Sequence, residues 1–214
     1  TYNILPDTGY DIANVTVDSA PIGTVPSYTF SNIQFDHTIA ATFAIKTFTI
    51  TPSPGANGSI APGTTNVNYG ANQTFNIIPN INYRIESVTV DGVYVGTPTS
   101  YTFTNVQINH TISAVFARIQ FTITASYSQT GTISPSGPTI VNSGDNATCT
   151  ILANPTYKVL SLFIDGIITT SSISYTFTNV TASHTIFANF SERLSFQYEV
   201  PGVGVLTDST SKSI

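Results

Sequence analysis

Apolar and polar positions alternate along this chain in short runs separated by turn residues. Phe48-Thr-Ile-Thr51 places apolar side chains on one face and hydroxyls on the other, the pattern of a half-buried strand. Pro52 to Asn57 holds two prolines and a glycine and reads as a turn. Gly58-Ser-Ile60 opens a second strand, broken at Pro62-Gly63 and resumed over Asn66 to Tyr69. After the turn Gly70 to Gln73 come a third strand at Thr74 to Ile78 and a fourth at Tyr83 to Val90. Asp91-Gly92, set between two β-branched runs, is a short-range hairpin signal leading to Val93-Tyr-Val95. Ser100-Tyr-Thr-Phe103 and Thr111 to Phe116 are expected to form a closing hairpin. No helical period extends beyond a turn. About six or seven short strands with regularly spaced turns predict an all-β sandwich, immunoglobulin-like in architecture.

The same pattern recurs. Ser-Tyr-Thr-Phe begins at Ser27, Ser100 and Ser174, and His-Thr-Ile at His37, His110 and His184, so the histidines lie 73 and 74 residues apart. A fixed period of this size marks a repeat array. The fold class is therefore all-β, with tandem immunoglobulin-like β-sandwich repeats of about 74 residues. Residues 46–119 and 120–193 are complete repeats. Residues 1–45 are a partial repeat without the first two strands, because Thr1-Tyr-Asn-Ile-Leu-Pro6 aligns with Thr74-Phe-Asn-Ile-Ile-Pro79. In residues 194–214, Phe196-Gln-Tyr198 aligns with Phe121-Thr-Ile123 and Gly204-Val-Leu206 with Gly131-Thr-Ile133. The tail thus resembles the first two strands of a further repeat.

An incomplete sandwich leaves strand edges unpaired, and such edges accept strands from other chains. A tail carrying the missing strands could fill the gap by donor-strand complementation, with main-chain hydrogen bonds for affinity and alternate side chains entering the acceptor's core. Contacts between the tail of one copy and the first repeat of the next are head-to-tail, and where they do not close they give a filament. On this expectation the intersubunit residues are Thr1, Tyr2 and Ile4 on the acceptor, and Leu194, Phe196, Tyr198, Val200, Val205 and Leu206 on the donor. The competing expectation is an arbitrary window on a longer array, with unrelated ends.

Composition narrows the function classes. Charged residues make up 8% of the chain, against about 25% in an average soluble protein. Ile, Val, Thr, Tyr and Phe dominate, which suits strands and not a disordered chain. Six basic residues in a chain of net charge −5 do not make a nucleic-acid surface. No apolar run of membrane-spanning length and no signal peptide is present. The absence of Met implies a chain that is processed or cut from something larger. One cysteine, Cys149, excludes a disulfide framework within the chain, and its place opposite Phe75 of the previous repeat predicts a small buried core residue. Few charges and many Thr, Ser and Asn point to an extracellular location.

Candidate chemistry is sparse. Each repeat carries one histidine before Thr-Ile, expected to bond to the backbone of a neighbouring loop. Asp18, Asp91 and Asp165 recur at the hairpin and are expected there for turn geometry. Neither a converging metal-ligand set, nor a calcium loop, nor a nucleophile elbow is visible, so no cofactor, no metal site and no enzyme is expected. Tyr69, Tyr94 and Tyr127 do not recur and are the candidates for stacking on surface glycans. Seven Asn-x-Ser/Thr sequons occur, of which those at the turns, Asn57, Asn72 and Asn146, are the glycosylation candidates.

The phrases Gly58-Ser-Ile-x-Pro, Tyr69-Gly70, Thr74-Phe-x-Ile-x-Pro79, Tyr83-x-Ile-x-x-Val-x-Val-Asp-Gly92, Ser100-Tyr-Thr-Phe-x-Asn-Val and His110-Thr-Ile-x-Ala-x-Phe116 resemble the divergent B-repeat domain named after listerial internalin B. The resemblance spans residues 1–190. It departs at Ser19, where the family has glycine after the aspartate, and at Cys149, which replaces an aromatic residue. It implies tandem modules of large secreted or cell-surface proteins, serving as spacers, stalks or adhesion modules, with no catalytic residues to transfer. The expected function is a structural subunit of an extracellular, pilus-like surface filament, a homopolymer without membrane insertion. The alternatives are a stalk or adhesion fragment that binds glycans or a host, and an accessory module of a secreted enzyme.

Overall fold

A computed structural model describes residues 1–194 together with the backbone strands at residues 197–200 and 204–207. The chain forms two compact units, Thr1–Ala117 and Arg118–Ile214, so the partial repeat and the first complete repeat share one unit. The described residues are all-β, and no helix is long and apolar enough to cross a membrane.

In the first unit the partial repeat contributes β1 (Tyr2–Asn3), β2 (Tyr10–Val17), β3 (Ala20–Gly23), β4 (Ser27–Tyr28) and β5 (Ile39–Ile45). The complete repeat contributes β6 (Thr47–Pro54), β7 (Gly58–Ala61), β8 (Thr65–Asn68), β9 (Gln73–Pro79), β10 (Tyr83–Val90), β11 (Val93–Tyr94), β12 (Ser100–Phe103) and β13 (His110–Arg118). Its sheets run β11-β10-β13-β6-β8 and β12-β9-β7. The long strands of the complete repeat largely alternate, so each sheet turns an apolar face inward. Ile50 of β6, Phe75 of β9, Val88 of β10 and Ile112 of β13 meet in one buried core cluster between the two sheets.

The second unit repeats this plan with β14 (Gln120–Tyr127), β15 (Gly131–Ser134), β16 (Gly137–Asn142), β17 (Ala147–Ala153), β18 (Tyr157–Ile164), β19 (Ile167–Thr169), β20 (Ser174–Phe177) and β21 (His184–Glu192). Its sheets run β16-β14-β21-β18-β19 and β15-β17-β20. Cys149 is buried in this core, as its place in the pattern predicts. Two further strands, β22 (Gln197–Val200) and β23 (Gly204–Thr207), pair antiparallel with each other.

Three features differ from the pattern-based expectation. First, each complete repeat has one more strand than expected, because Pro62-Gly63 does not merely interrupt the second strand. It passes the chain between sheets: β7 pairs with β9, whereas β8 pairs with β6. Second, Ser100–Phe103 and His110–Arg118 do not form a hairpin. β12 pairs with β9 and β13 with β6, and the connector between them crosses the end of the sandwich. That connector buries Val106 and is tied to the other turn by Gly70 N–H to Val106 O (2.7 Å) and Val106 N–H to Ala71 O (3.0 Å). Third, β6 and β13 run parallel, as do β14 and β21, so the first and last long strands of a repeat lie side by side. The Asp-Gly hairpin does form as expected. Val90 faces Val93 across it, and Asp91 and Gly92 both take positive φ (49° and 80°), as a two-residue type I′ turn requires.

Candidate functional site

The partial repeat is a sandwich with one side open. In the complete repeats β13 lies between β10 and β6, and β9 between β12 and β7. Their counterparts β5 and β1 pair only with β2 and β4 among the described residues. Edges of both sheets are therefore unpaired on the same side, where β6, β7 and β8 would sit. A complete repeat places three strands there, not the two expected from sequence.

Side chains there follow the same logic. Phe43 on β5 is 44% exposed, whereas its counterparts Phe116 and Phe190 are each 7% exposed. Ile33 is 65% exposed, against 1% for both Val106 and Val180. Ile4 remains buried, as Ile77 and Ile151 are, while Tyr2 stands largely free where Phe75 is enclosed. A groove of about 260 Å³ opens between Tyr2 to Leu5 and Ile39 to Phe43. Thr1 is held to Thr29 by a 2.7 Å hydroxyl contact that recurs as Thr74–Thr102 and Thr148–Thr176, so β1 keeps its repeat register although its outer neighbour is lacking.

What fills this place in a complete repeat is visible at atomic detail. Gly58 on β7 lies against the ring of Phe116, and a Cβ there would come 2.3 Å from its Cζ. Gly131 lies on Phe190 at the same 2.3 Å. The first strand is pinned from the connector: Asn109 Oδ1 accepts from Thr49 N–H at 2.8 Å, and Ser183 Oγ accepts from Thr122 N–H at 3.1 Å. The corresponding residue of the partial repeat is Asp36, which is exposed.

At the other end, Arg193 N–H donates to Thr156 O at 2.6 Å. The equivalent bond from Lys46 N–H to Gly9 O (2.8 Å) is the one that leads from the partial repeat into β6. Both acceptors have left-handed backbone, Gly9 with φ 87° and Thr156 with φ 71°. The tail thus leaves the third repeat through the junction that begins a new repeat. Leu194 is exposed at its start. The side chains of Phe196, Tyr198, Val200, Val205 and Leu206 lie outside the described residues, so their expected intersubunit role rests on their sequence positions.

The histidines do not bond to loop backbone as expected. His37, His110 and His184 each place Nδ1 2.7 Å from a carboxylate oxygen of Asp18, Asp91 and Asp165 respectively. An ionised carboxylate can only accept, so each imidazole carries a proton on Nδ1. The second carboxylate oxygen accepts the amide of the residue after the histidine, Thr38, Thr111 or Thr185, at 2.8 Å. Each ring also packs on Phe30, Phe103 or Phe177, with centroids 4.9 to 5.0 Å apart. The three carboxyls lie below their ordinary value of 3.8. For Asp18 the Thr38 amide is the main cause, followed by His37; for Asp165 it is the Thr185 amide, with His184 adding to it against partial burial. For Asp91 partial burial works the other way and is outweighed by His110 and the Thr111 amide. The pair is a clamp between hairpin and last strand. Its sequence signal was available in the constant separation of 19 residues between each Asp and His.

Tyr69 is not a free surface ring. It is half-buried against Gly9, where a Cβ would lie 2.4 Å from its Cδ1. Tyr94 and Tyr127 are exposed. Asn57, Asn72 and Asn146 are all exposed, but Asn72 Oδ1 accepts from Asn105 N–H and Asn146 Oδ1 from Asn179 N–H, each at 2.8 Å. Two of the three sequon asparagines therefore recur for a structural reason, leaving Nδ2 as the atom a glycan would take.

The model of the divergent InlB B-repeat domain matches residues 48–120 and again residues 121–193. The chain belongs to this family. The two matches coincide with the two complete sandwiches, so a B-repeat is the eight-strand unit described above, closed by the Asp–His clamp. B-repeats of this type are typically associated with bacterial surfaces, and this chain is accordingly a tandem-repeat protein of the cell-surface kind. No curated protein and no solved structure gives a significant match.

Proposed function

We propose that the chain is a non-catalytic structural subunit of an extracellular, pilus-like filament, built by insertion of residues 194–214 of one copy into the open side of residues 1–45 of the next. The observation that carries this reading is the exposure of Phe43, a core position of both complete repeats, in the groove between β1 and β5. Exposed core positions beside unpaired strand edges are a template for an added strand. The tail supports the other half of the contact through its repeat-like junction at Arg193 and its two strands. In this reading the tail, which aligns with the start of a repeat, makes a second copy the occupant, and such a heterologous contact generates an open polymer.

Electron microscopy and light scattering of residues 1–214 test this. Concentration-dependent fibres, lost when residues 194–214 are removed, support the reading. Undiminished assembly of the shortened chain refutes it, as does a chain that stays monomeric at all concentrations. The latter result favours a stalk or adhesion segment, in which neighbouring residues of a longer polypeptide complete the sandwich and exposed rings such as Tyr94 meet glycans.

A further inference from the structure

Basic side chains are scarce in this chain, six in 214 residues, so their placement is informative. Two of them are matched by carboxylates: Lys46 Nζ lies 3.5 Å from Asp11 and the Arg118 guanidinium 3.1 Å from Asp145. Lys158 on β18 and Arg193 just after β21 have no carboxylate partner among the described residues. Both line one groove of about 410 Å³ in the second unit, and no Asp or Glu lines it. The neighbouring Glu192 is engaged by Tyr157, whose hydroxyl donates to its Oε1 at 3.3 Å. Two unmatched cations thus meet in one concave place on a chain of net charge −5.

The groove is bounded by the end of β17, the start of β18 and the loop from β19 to β20. Ile151 is its buried apolar wall, Leu152 and Ile173 are exposed, and Ser171 and Ser172 bring hydroxyls. The loop is fixed to β17 by Ile151 N–H, which donates to Ile173 O at 2.8 Å. Arg193 is also held: its Nε donates to Tyr157 O at 3.0 Å and its backbone N–H to Thr156 O at 2.6 Å. The guanidinium plane is thereby anchored on one edge. Its terminal amino groups keep the flat fork that meets a carboxylate with paired hydrogen bonds.

The same place in the first complete repeat is built from other side chains. Arg84 matches Lys158, but Ile119 matches Arg193, and Pro79 and Pro98 match Ala153 and Ser172. Both prolines are half-buried. The backbone frame is shared, because Ile77 N–H donates to Thr99 O at 2.8 Å as Ile151 does to Ile173. On that common frame the second complete repeat exchanges two proline rings for small side chains and an isoleucine for an arginine. Space, a hydroxyl and a second positive charge arrive together.

We propose that this groove binds a carboxylated sugar: Arg193 and Lys158 take the carboxylate, Ser171 a ring hydroxyl, and the aliphatic side chains of Leu152 and Ile173 the C–H face of the ring. Its volume is in the range of small-ligand sites, and a few polar groups on apolar walls are what orients a ligand in such sites. Charge complementarity selects an anion, and the apolar walls select one with a C–H surface. An extended acidic peptide would draw its affinity from a free strand edge, but β17 in this groove is paired on both sides, by β15 and β20. The site lies within a complete repeat and is independent of the assembly reading.

The test is titration of the isotope-labelled full-length chain, followed by amide NMR shifts, with methyl β-D-glucuronide as the probe and methyl β-D-glucoside as its uncharged counterpart. The glucuronide is expected to shift the amides of Leu152, Lys158 and Ile173 with a dissociation constant on the order of 1 mM, as a ligand of one ring gives. The glucoside binds about tenfold more weakly, and added salt weakens the glucuronide alone. Arg193→Gln and Lys158→Gln each reduce its affinity about fivefold. Ser172→Pro, which restores the residue of the first complete repeat, narrows the groove and abolishes binding, whereas Arg84→Gln changes nothing. Circular dichroism establishes that each variant is folded. Absence of shifts at these amides, equal binding of the glucoside, or full affinity in both Arg193→Gln and Lys158→Gln overturns the site. Acetate or a blocked tetra-aspartate peptide binding there as tightly as the glucuronide overturns the sugar as its ligand.

Discussion

Asp91 serves the hairpin in two ways at once. Its backbone adopts the left-handed conformation of the first turn position (φ 49°), and its carboxylate ties the hairpin to His110 and to the Thr111 amide. Asn tolerates that backbone nearly as well and keeps an acceptor for the amide, so Asp91→Asn separates charge from geometry. Asp91→Ala loses both and is expected to destabilise the first unit by about 1–2 kcal/mol in urea denaturation, with Asp91→Asn costing less. The pH dependence follows from the depressed carboxyl. A group with a lowered folded-state pKa contributes fully above its unfolded value, here about 3.8, and loses that contribution as pH falls through the folded value. The parent should therefore lose more stability than Asp91→Asn between neutral pH and pH values below 3.8, and equal losses would show that the clamp does not act through its charge. Cys149 gives a second residue-scale expectation. Burial pushes its thiol up from 9.0, so a thiol reagent should label it only as the second unit unfolds, and fast labelling of the native chain would contradict its place in the core. Both residues were legible in the sequence, Asp91 from the Asp-Gly dipeptide and Cys149 from its place in the alternation. The carboxylate's partner was missed because turn chemistry already accounted for an aspartate there; the structure shows the second role, which the constant 19-residue spacing to the histidine could have signalled.

At the scale of elements, the glycine on the second strand has no room for a side chain. Gly58→Ala places a methyl group 2.3 Å from the Phe116 ring, and the ring cannot retreat because it is enclosed by the core. The change is expected to cost about 1–3 kcal/mol, as overpacking of a close-packed interior does, and the pair Gly58→Ala with Phe116→Leu should recover part of it. Additive losses in that double-mutant cycle would place the two residues out of contact. The junction between the partial and complete repeats has its own glycine. Gly9→Ala meets the Tyr69 ring and also strains a φ of 87°, so it should destabilise the first unit and leave the second unchanged. The strands themselves were legible, because alternation reports directly that one face is buried. Their partners were not. Alternation carries no information on which sheet a strand joins, so the crossing at Pro62-Gly63 and the connector between β12 and β13 were read as a broken strand and a hairpin. The aromatic Tyr69 was taken for surface because it does not recur, yet it differs from Ser143 of the next repeat by being the ring on which Gly9 packs.

The repeats differ in how completely they bury their core positions. A repeat array is held by each unit's own core and by its interfaces with neighbours. The two complete repeats each enclose a continuous cluster that draws on both sheets. Residues 1–45 bury Val15, Val17 and Ile4 but leave Phe43 and Ile33 in contact with water. Segments with few buried apolar contacts open at the lowest free energy, so amide hydrogen exchange should be fastest in β1 to β5 and slowest in the centres of β9, β13, β17 and β21. A partner that binds only the folded first repeat stabilises it by mass action, by about 2.7 kcal/mol when present at a hundred times its dissociation constant. A synthetic peptide of residues 194–214, added to a chain lacking them, is therefore expected to slow exchange selectively in β1 and β5 and to raise the midpoint of the first unit's unfolding with peptide concentration. The proposed contact would consist mainly of backbone pairing and apolar burial in a chain whose residues are only 8% charged, so its strength should change little between low and high salt. Protection that spreads evenly over both units, or that disappears on adding salt, would mean that the peptide binds a surface other than the open side of the first repeat.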